Sequence, residues 1–160
     1  MIVAISGVKN SGKTTLITKI IPIFKKRGYK VATIKHDGHE FEADVKGTDT
    51  YLHTEAGAYA SAIFSQGQYM VKKRTSITEV DLIPMFKEAD VILLEGFKYS
   101  TYPKIEVVRQ ANSEKPICNP QGLIAIATDC DLGLEEIMTI PLNDSSKVVD
   151  HIINYFDKRG

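Results

Sequence analysis

Gly7-Val8-Lys9-Asn10-Ser11-Gly12-Lys13-Thr14 is the stretch that decides the fold. It satisfies G-x-x-x-x-G-K-[ST] at every fixed position, and Thr15 follows. Ile2-Val3-Ala4-Ile5-Ser6 before it is a short apolar run, the mark of a strand buried on both faces. After it, Leu16, Ile17, Ile20, Ile21 and Phe24 recur with helical spacing, and Gly28 stands where a helix commonly ends. A strand, a glycine loop and a helix in this order form an anion cradle. The glycines let the backbone wrap a phosphate chain, successive N–H groups point inward, and the helix N-terminus adds partial positive charge. Lys13 supplies a mobile point charge for β- and γ-phosphates, and the Thr14 hydroxyl is a ligand for Mg²⁺. With glycine at about 7% of average composition, a chance match in a chain of this length is well under ~1%. The phosphate-binding set read from the sequence is Gly7, Val8, Lys9, Asn10, Ser11, Gly12, Lys13, Thr14 and Thr15, with Lys13 also acting on the reacting phosphate.

Outward from the loop, strands and helices alternate. Pro22 interrupts the helical stripe, which continues past it, so a kink is expected there and not a stop. Further strands are read at 31–35, 90–94, 105–108 and 123–127, and a short helix at 49–56. Two strands at 59–64 and 68–73, separated by Ser65-Gln66-Gly67, read as a hairpin. Ser76-Ile77-Thr78-Glu79 has capping-box spacing and predicts a helix through Phe86. Val148, Val149, Ile152, Ile153 and Phe156 line one face of a closing helix at 145–156. The fold class is α/β: a P-loop NTPase fold with a mostly parallel sheet flanked by helices, plus an additional β-hairpin, in a single domain over 1–160.

Composition excludes several classes. The 160 residues carry 20 basic and 20 acidic side chains, for zero formal charge, so neither nucleic acid nor an anionic membrane is an expected partner. No apolar run approaches the ~20 residues of a membrane helix, and the first five residues are too few and lack the basic start of a signal peptide. Cys118 and Cys130 stand apart without metal-ligand spacing and read as free thiols in a reducing compartment. The expectation is a soluble, cytoplasmic protein.

Three further constellations bear on chemistry. Leu93-Leu94-Glu95-Gly96 ends the most apolar strand with a carboxylate, at the rim where ligands of parallel sheets bind. Glu95 is placed to hold the water shell of a magnesium ion or to orient an attacking water; an ordinary solvated glutamate is the competing reading. His36-Asp37-Gly38-His39-Glu40 and the polar residues up to Thr48 match no dedicated zinc spacing. A switch-like loop near the γ-phosphate is the more economical reading than a transition-metal site, and His53 and His151 stand alone. Guanine-specific P-loop proteins often carry N-K-x-D after a late strand. Here Thr128-Asp129-Cys130-Asp131 occupies that place without the lysine, making Asp129 a guanine contact or else a helix cap or turn residue.

Taken in order, these segments resemble the MobB family, the small GTP-binding accessory proteins of molybdopterin guanine dinucleotide biosynthesis. The resemblance is carried by Ile34-Lys35-His36 leading to Asp44, Lys46-Gly47-Thr48-Asp49, Glu55-Ala56-Gly57-Ala58, Leu94-Glu95-Gly96-Phe97-Lys98 and Pro103-Lys104-Ile105-Glu106-Val107-Val108-Arg109. It implies GTP and Mg²⁺ as cofactors, frequent homodimers, and help given to a separate guanylyltransferase acting on molybdopterin or its guanine dinucleotide. It also implies that Lys35, Asp44, Asp49 and Lys98 lie near the site, which makes Asp44 a metal candidate beside Thr14 and Glu95. Slow, magnesium-dependent GTP hydrolysis would make Lys13 and Glu95 the catalytic pair. Two other readings stand beside it: a small-molecule kinase, against which only Arg27, Arg74, Arg109 and Arg159 are present to build a lid, and a guanine-nucleotide adaptor that does not hydrolyse.

Overall fold

The computed structural model describes residues 1–38, 41–113 and 115–159. His39 and Glu40 of the polar loop lie outside the described residues. Two compact units emerge: Met1–His36 with Glu79–Gly160, and Asp37–Thr78 between them in sequence.

The first unit is built on a six-stranded sheet. Its strands are β1 (Ile2–Ser6), β2 (Val31–Lys35), β5 (Val91–Glu95), β6 (Lys104–Val108), β7 (Leu123–Thr128) and β8 (Thr139–Pro141). They lie in the order β2-β5-β1-β6-β7-β8, and each neighbouring pair is parallel. Val3, Ala4, Ile5, Leu93 and Leu94 have no exposed surface, as expected of strands covered on both faces. On one face, α1 (Lys13–Lys26) and α4 (Ser145–Asp157) pack Leu16, Ile20, Phe24, Val148 and Ile152 against Val3, Ile5, Leu93 and Ile105. The Asp144 carboxylate caps α4 through the Lys147 N–H at 3.0 Å.

The other face is covered differently. Beside Ala4, Ile34, Ile92 and Leu94 it is closed by Leu82, Ile83, Phe97 and Tyr102. Toward β6, two buried charges on one face of the strand carry irregular loops. The Lys104 ammonium donates to the carbonyls of Ser100, Asn119 (3.3 Å) and Gln121 (2.9 Å). The Glu106 carboxylate accepts from the Ile117 N–H at 2.7 Å and the Cys118 N–H at 3.2 Å. Burial holds the Lys104 ammonium below its ordinary range. Burial, reinforced by Glu106, pushes the Cys118 thiol up to about 12.

The second unit holds α2 (Asp49–Glu55) and the antiparallel hairpin of β3 (Ala60–Phe64) and β4 (Tyr69–Lys73). The Ser65 N–H closes the turn on the Gln68 carbonyl at 2.8 Å. Tyr59, Ile63, Phe64, Tyr69 and Val71 are exposed.

One expectation needs correction. The helix read from Ser76 to Phe86 is shorter and mixed. α3 spans Glu79–Leu82 and passes into a 3-10 turn at Ile83–Phe86, because Pro84 has no N–H to continue an α-helical ladder. β8 has no counterpart among the strands expected from sequence, because three residues with only Ile140 buried carry no periodic signal. Pro22 lies inside α1, which runs unbroken past it.

Candidate functional site

The phosphate loop leaves β1 at the centre of the sheet, where β5 and β6 flank it and chain connections diverge to opposite sides. This is the switch point at which ligands of open parallel sheets bind. Gly7 has φ 135°, and a Cβ there would sit 2.5 Å from the Val107 carbonyl, so only glycine lets the loop lie against β6. Asn10 (φ 62°) and Gly12 (φ 96°) take left-handed conformations that turn the backbone around the loop. Gly12 stands at the N-cap and offers no side chain, so the first-turn N–H groups of α1 are left for an anion. The buried Ser11 hydroxyl has no hydrogen-bond partner.

Lys13 reaches back over the loop, donating to the carbonyls of Val8 at 2.6 Å and Gly7 at 3.3 Å. Burial lowers the pKa of its ammonium; the Glu95 carboxylate works in the opposite direction, and Lys98 and Lys35 add to the lowering. Glu95 is the last residue of β5, opposite Ile5 on one side and Lys35 on the other. Its Oε1 accepts the Thr14 hydroxyl at 2.6 Å. A hydroxyl at the head of α1 and a carboxylate at the end of β5 thus meet at the rim of the loop. These hard oxygens suit Mg²⁺, which keeps several waters and takes one or two protein ligands. Immediately beyond, Phe97 holds φ 54°, an outlier for a bulky side chain, and its carbonyl is bonded by the N–H and hydroxyl of Ser100.

Of the other expected residues, Lys35 ends β2 and Lys98 lies in the turn after Glu95, its ammonium 4.8 Å from the Tyr99 ring centre. Thr15 lines a cavity beside the loop. Asp49 opens α2 in the second unit. Asp44 is engaged within that unit, accepting from the Thr50 hydroxyl at 3.2 Å and the Lys72 ammonium at 3.0 Å. Among the described residues, no group of three His, Cys, Asp or Glu side chains is arranged to hold a metal.

The cavity beside the loop has a volume of about 560 Å³, within the range of small-molecule pockets. Gly12, Thr15, Arg109, Asp129, Asp131 and Asn143 are among the residues around it. Asp129 accepts the Gln110 N–H at 2.8 Å, and Arg109 Nε lies 3.5 Å from its other oxygen. Arg109 received no role from the sequence. Its signal was available: like Glu95, it stands at the carboxyl end of a strand beside β1. Asn112, whose amide donates to the Asn10 carbonyl, had no comparable signal.

The family model for MobB, molybdopterin guanine dinucleotide synthesis protein B, matches residues 2–129. The chain belongs to the MobB family. It is 30% identical over 167 residues to the molybdopterin-guanine dinucleotide biosynthesis adapter protein of Escherichia coli, covering 99% of this chain and 95% of that protein. The crystal structure of Bacillus subtilis MobB matches at a TM-score of 0.73 and 27% identity, over 94% of this chain and 96% of that one. The MobB resemblance and the parallel α/β fold read from the sequence are both borne out. A thymidylate kinase of Bacillus cytotoxicus is also similar, 36% identical over 152 residues, covering 86% of this chain and 69% of the kinase.

Proposed function

We propose that this chain is a guanine-nucleotide-binding accessory protein of molybdopterin guanine dinucleotide biosynthesis, which binds GTP with Mg²⁺ and assists a separate guanylyltransferase. The observation that carries the nucleotide reading is the 2.6 Å contact of the Thr14 hydroxyl with Glu95 at the rim of the loop. The adapter role follows from family membership. The phosphate chain is held by the backbone from Gly7 to Gly12, by Lys13 and by the head of α1, with Thr15 beside it. Mg²⁺ is held by Thr14 directly and by Glu95 through its waters. Asp44 already accepts bonds on both oxygens inside the second unit, which argues against it as a third ligand. When bound, magnesium neutralises charge on the β- and γ-phosphates. Glu95 is the carboxylate available to orient a water for slow hydrolysis of the γ-phosphate. Molybdopterin or its guanine dinucleotide is the cargo of the assisted reaction. The cytoplasm is the compartment that fits two free cysteines. A homodimer is supported by the exposed apolar side chains of the β3–β4 hairpin, which a second copy would cover.

The kinase reading has one observation in its favour, the similarity to thymidylate kinases. Against it stands the supply of arginines. Arg27 pairs with Asp150 and Arg159 stacks on Tyr155, which leaves Arg109 as the arginine of the first unit at the loop. Calorimetric titration decides between them. GTP is expected to bind at least tenfold more tightly than ATP, a difference of about 1.4 kcal/mol. Lys13→Ala should lose triphosphate binding while staying folded. Preference for ATP together with phosphorylation of thymidylate would establish the kinase instead.

A further inference from the structure

We propose that the base of the bound nucleotide is gripped by Arg109 and Asp131, and that Asp129 anchors the arginine without touching the base. The inference rests on the guanine-nucleotide reading above and adds its specificity residues. In N-K-x-D the lysine lies over the base and the aspartate accepts from the guanine edge. Set in register, Thr128-Asp129-Cys130-Asp131 places a carboxylate at the lysine position and Asp131 at the aspartate position. A carboxylate cannot take over stacking, because the face of an aromatic ring is itself negative.

The missing cation comes from the neighbouring strand. Val108 pairs with Thr128, so Arg109 and Asp129 leave β6 and β7 side by side. Both Asp129 oxygens are then spent on that strand's exit, one on the Gln110 N–H at 2.8 Å and one at 3.5 Å from Arg109 Nε. Arg109 Nε is buried with no hydrogen-bond partner, held by charge alone. The guanidinium carbon and Nη2 lie 3.9 Å from where a Cβ of Gly12 would be, between the phosphate loop and the cavity. A planar guanidinium held there offers a face for a purine ring.

The rest of the motif is intact in function. The Thr128 hydroxyl accepts the Cys130 N–H at 3.2 Å and fixes the turn. Asp131 Oδ1 accepts the Gly133 N–H at 2.9 Å, and no other bond to Asp131 is formed among the described residues. Asp131 therefore reaches the cavity with acceptor capacity to spare. Guanine presents two adjacent donors, N1–H and the 2-amino group, to such a carboxylate. Adenine has no second donor there, so the same group selects against it.

The test is competition binding on the full chain with GTP, XTP, ATP and inorganic triphosphate. Asp131→Asn, nearly isosteric and exposed, gives the amide a donor for the 2-carbonyl of xanthine. It should shift the GTP-to-XTP preference by at least tenfold toward XTP. Asp129→Asn should keep the wild-type preference. Arg109→Ala should weaken GTP and XTP by about tenfold while inorganic triphosphate stays within twofold, and Arg109→Lys should fall between, with a thermal melt confirming that each variant is folded. Three results would overturn the assignment: an unchanged preference in Asp131→Asn, the switch arising from Asp129→Asn, or Arg109→Ala weakening inorganic triphosphate as much as GTP. A wild-type chain that binds GTP no better than inorganic triphosphate would instead refute the guanine-nucleotide reading itself.

Discussion

Replacing Lys104 by methionine isolates the role of the buried ammonium that holds up the loops on the second face of the sheet. Methionine preserves length and apolar stem, so the packing change alone costs under about 1.5 kcal/mol. What is lost is a charged donor shared by the carbonyls of Ser100, Asn119 and Gln121. A hydrogen bond to a charged group contributes about 1.5–3 kcal/mol, and a buried carbonyl left unpaired costs about 1–3 kcal/mol. Two effects work the other way. The desolvation cost of the ammonium, visible in its lowered pKa, is relieved. The three carbonyls also belong to loops that water can reach after a small shift. Set together, a net loss of about 3 kcal/mol is expected. For a domain of this size that is a fall in Tm of roughly 6–12 °C, at 2–4 °C per kcal/mol. Calorimetric unfolding at pH 7 measures it directly. An unchanged or raised Tm in Lys104→Met would mean that desolvation outweighs the three bonds, and the ammonium would not be what holds these loops.

Other expectations follow from the site and from the buried thiol. Glu95→Gln keeps shape and removes charge, so GTP affinity without metal should stay within about tenfold, ~1.4 kcal/mol, while the magnesium-dependent gain and any turnover fall sharply. A wild-type magnesium response in that variant would reduce Glu95 to a strand-end residue. In the folded chain Cys118 should resist a disulfide reagent at pH 8 while Cys130 reacts, since burial and Glu106 hold the Cys118 thiol near 12; equal rates for both thiols would contradict this. The sign of the linked pH effect is fixed as well. The unfolded thiol ionises from its ordinary 9.0 while the folded one stays neutral to about 12, so stability should decline as pH rises through that window and be untouched below it. Light scattering at micromolar concentration should find a dimer, and a monomer there would leave the hairpin's apolar side chains without the proposed cover.

The parts of the fold legible in sequence are those whose signal is local and periodic. Ile2–Ser6 and Val91–Glu95 are apolar runs buried on both faces, the helix beginning at Lys13 and the closing helix each bury one regular face, and all four lie close to the bounds expected from the sequence. The phosphate loop was legible because its geometry demands particular residues at fixed offsets, as Gly7 against Val107 illustrates. What was hidden depends on partners far along the chain. Thr139–Pro141 is a strand only because β7 offers it an edge. Nothing local in the sequence marks Lys104 and Glu106 as buried, because the loops that they hold are what bury them. The capping box at Ser76 is a local pattern, whereas the helix opens at Glu79 and changes to 3-10 geometry at Pro84. Asp129 was legible from its place after β7 as a guanine contact or a turn residue, whereas its contacts with Arg109 and Gln110 depend on the neighbouring strand's exit and leave no local signal.

Strand order also governs how the chain acquires its structure while it is being made. The two partners of Ile2–Ser6 begin at Val91 and Lys104, and Val31–Lys35 pairs with the first of these and not with Ile2–Ser6 itself. At about 5–20 residues per second, the first strand waits roughly 5–20 s for a neighbour to be synthesised. During that interval Val3, Ala4 and Ile5 form an apolar segment open to other nascent chains. The helix beginning at Lys13 is the first cover to arrive, laying Leu16 and Ile20 over Val3 and Ile5. The intervening α2 and hairpin can meanwhile close on their own short-range pairs. Translation speed between the end of β2 and the end of β5 is therefore expected to affect the yield of this chain, whatever the final stability of its sheet.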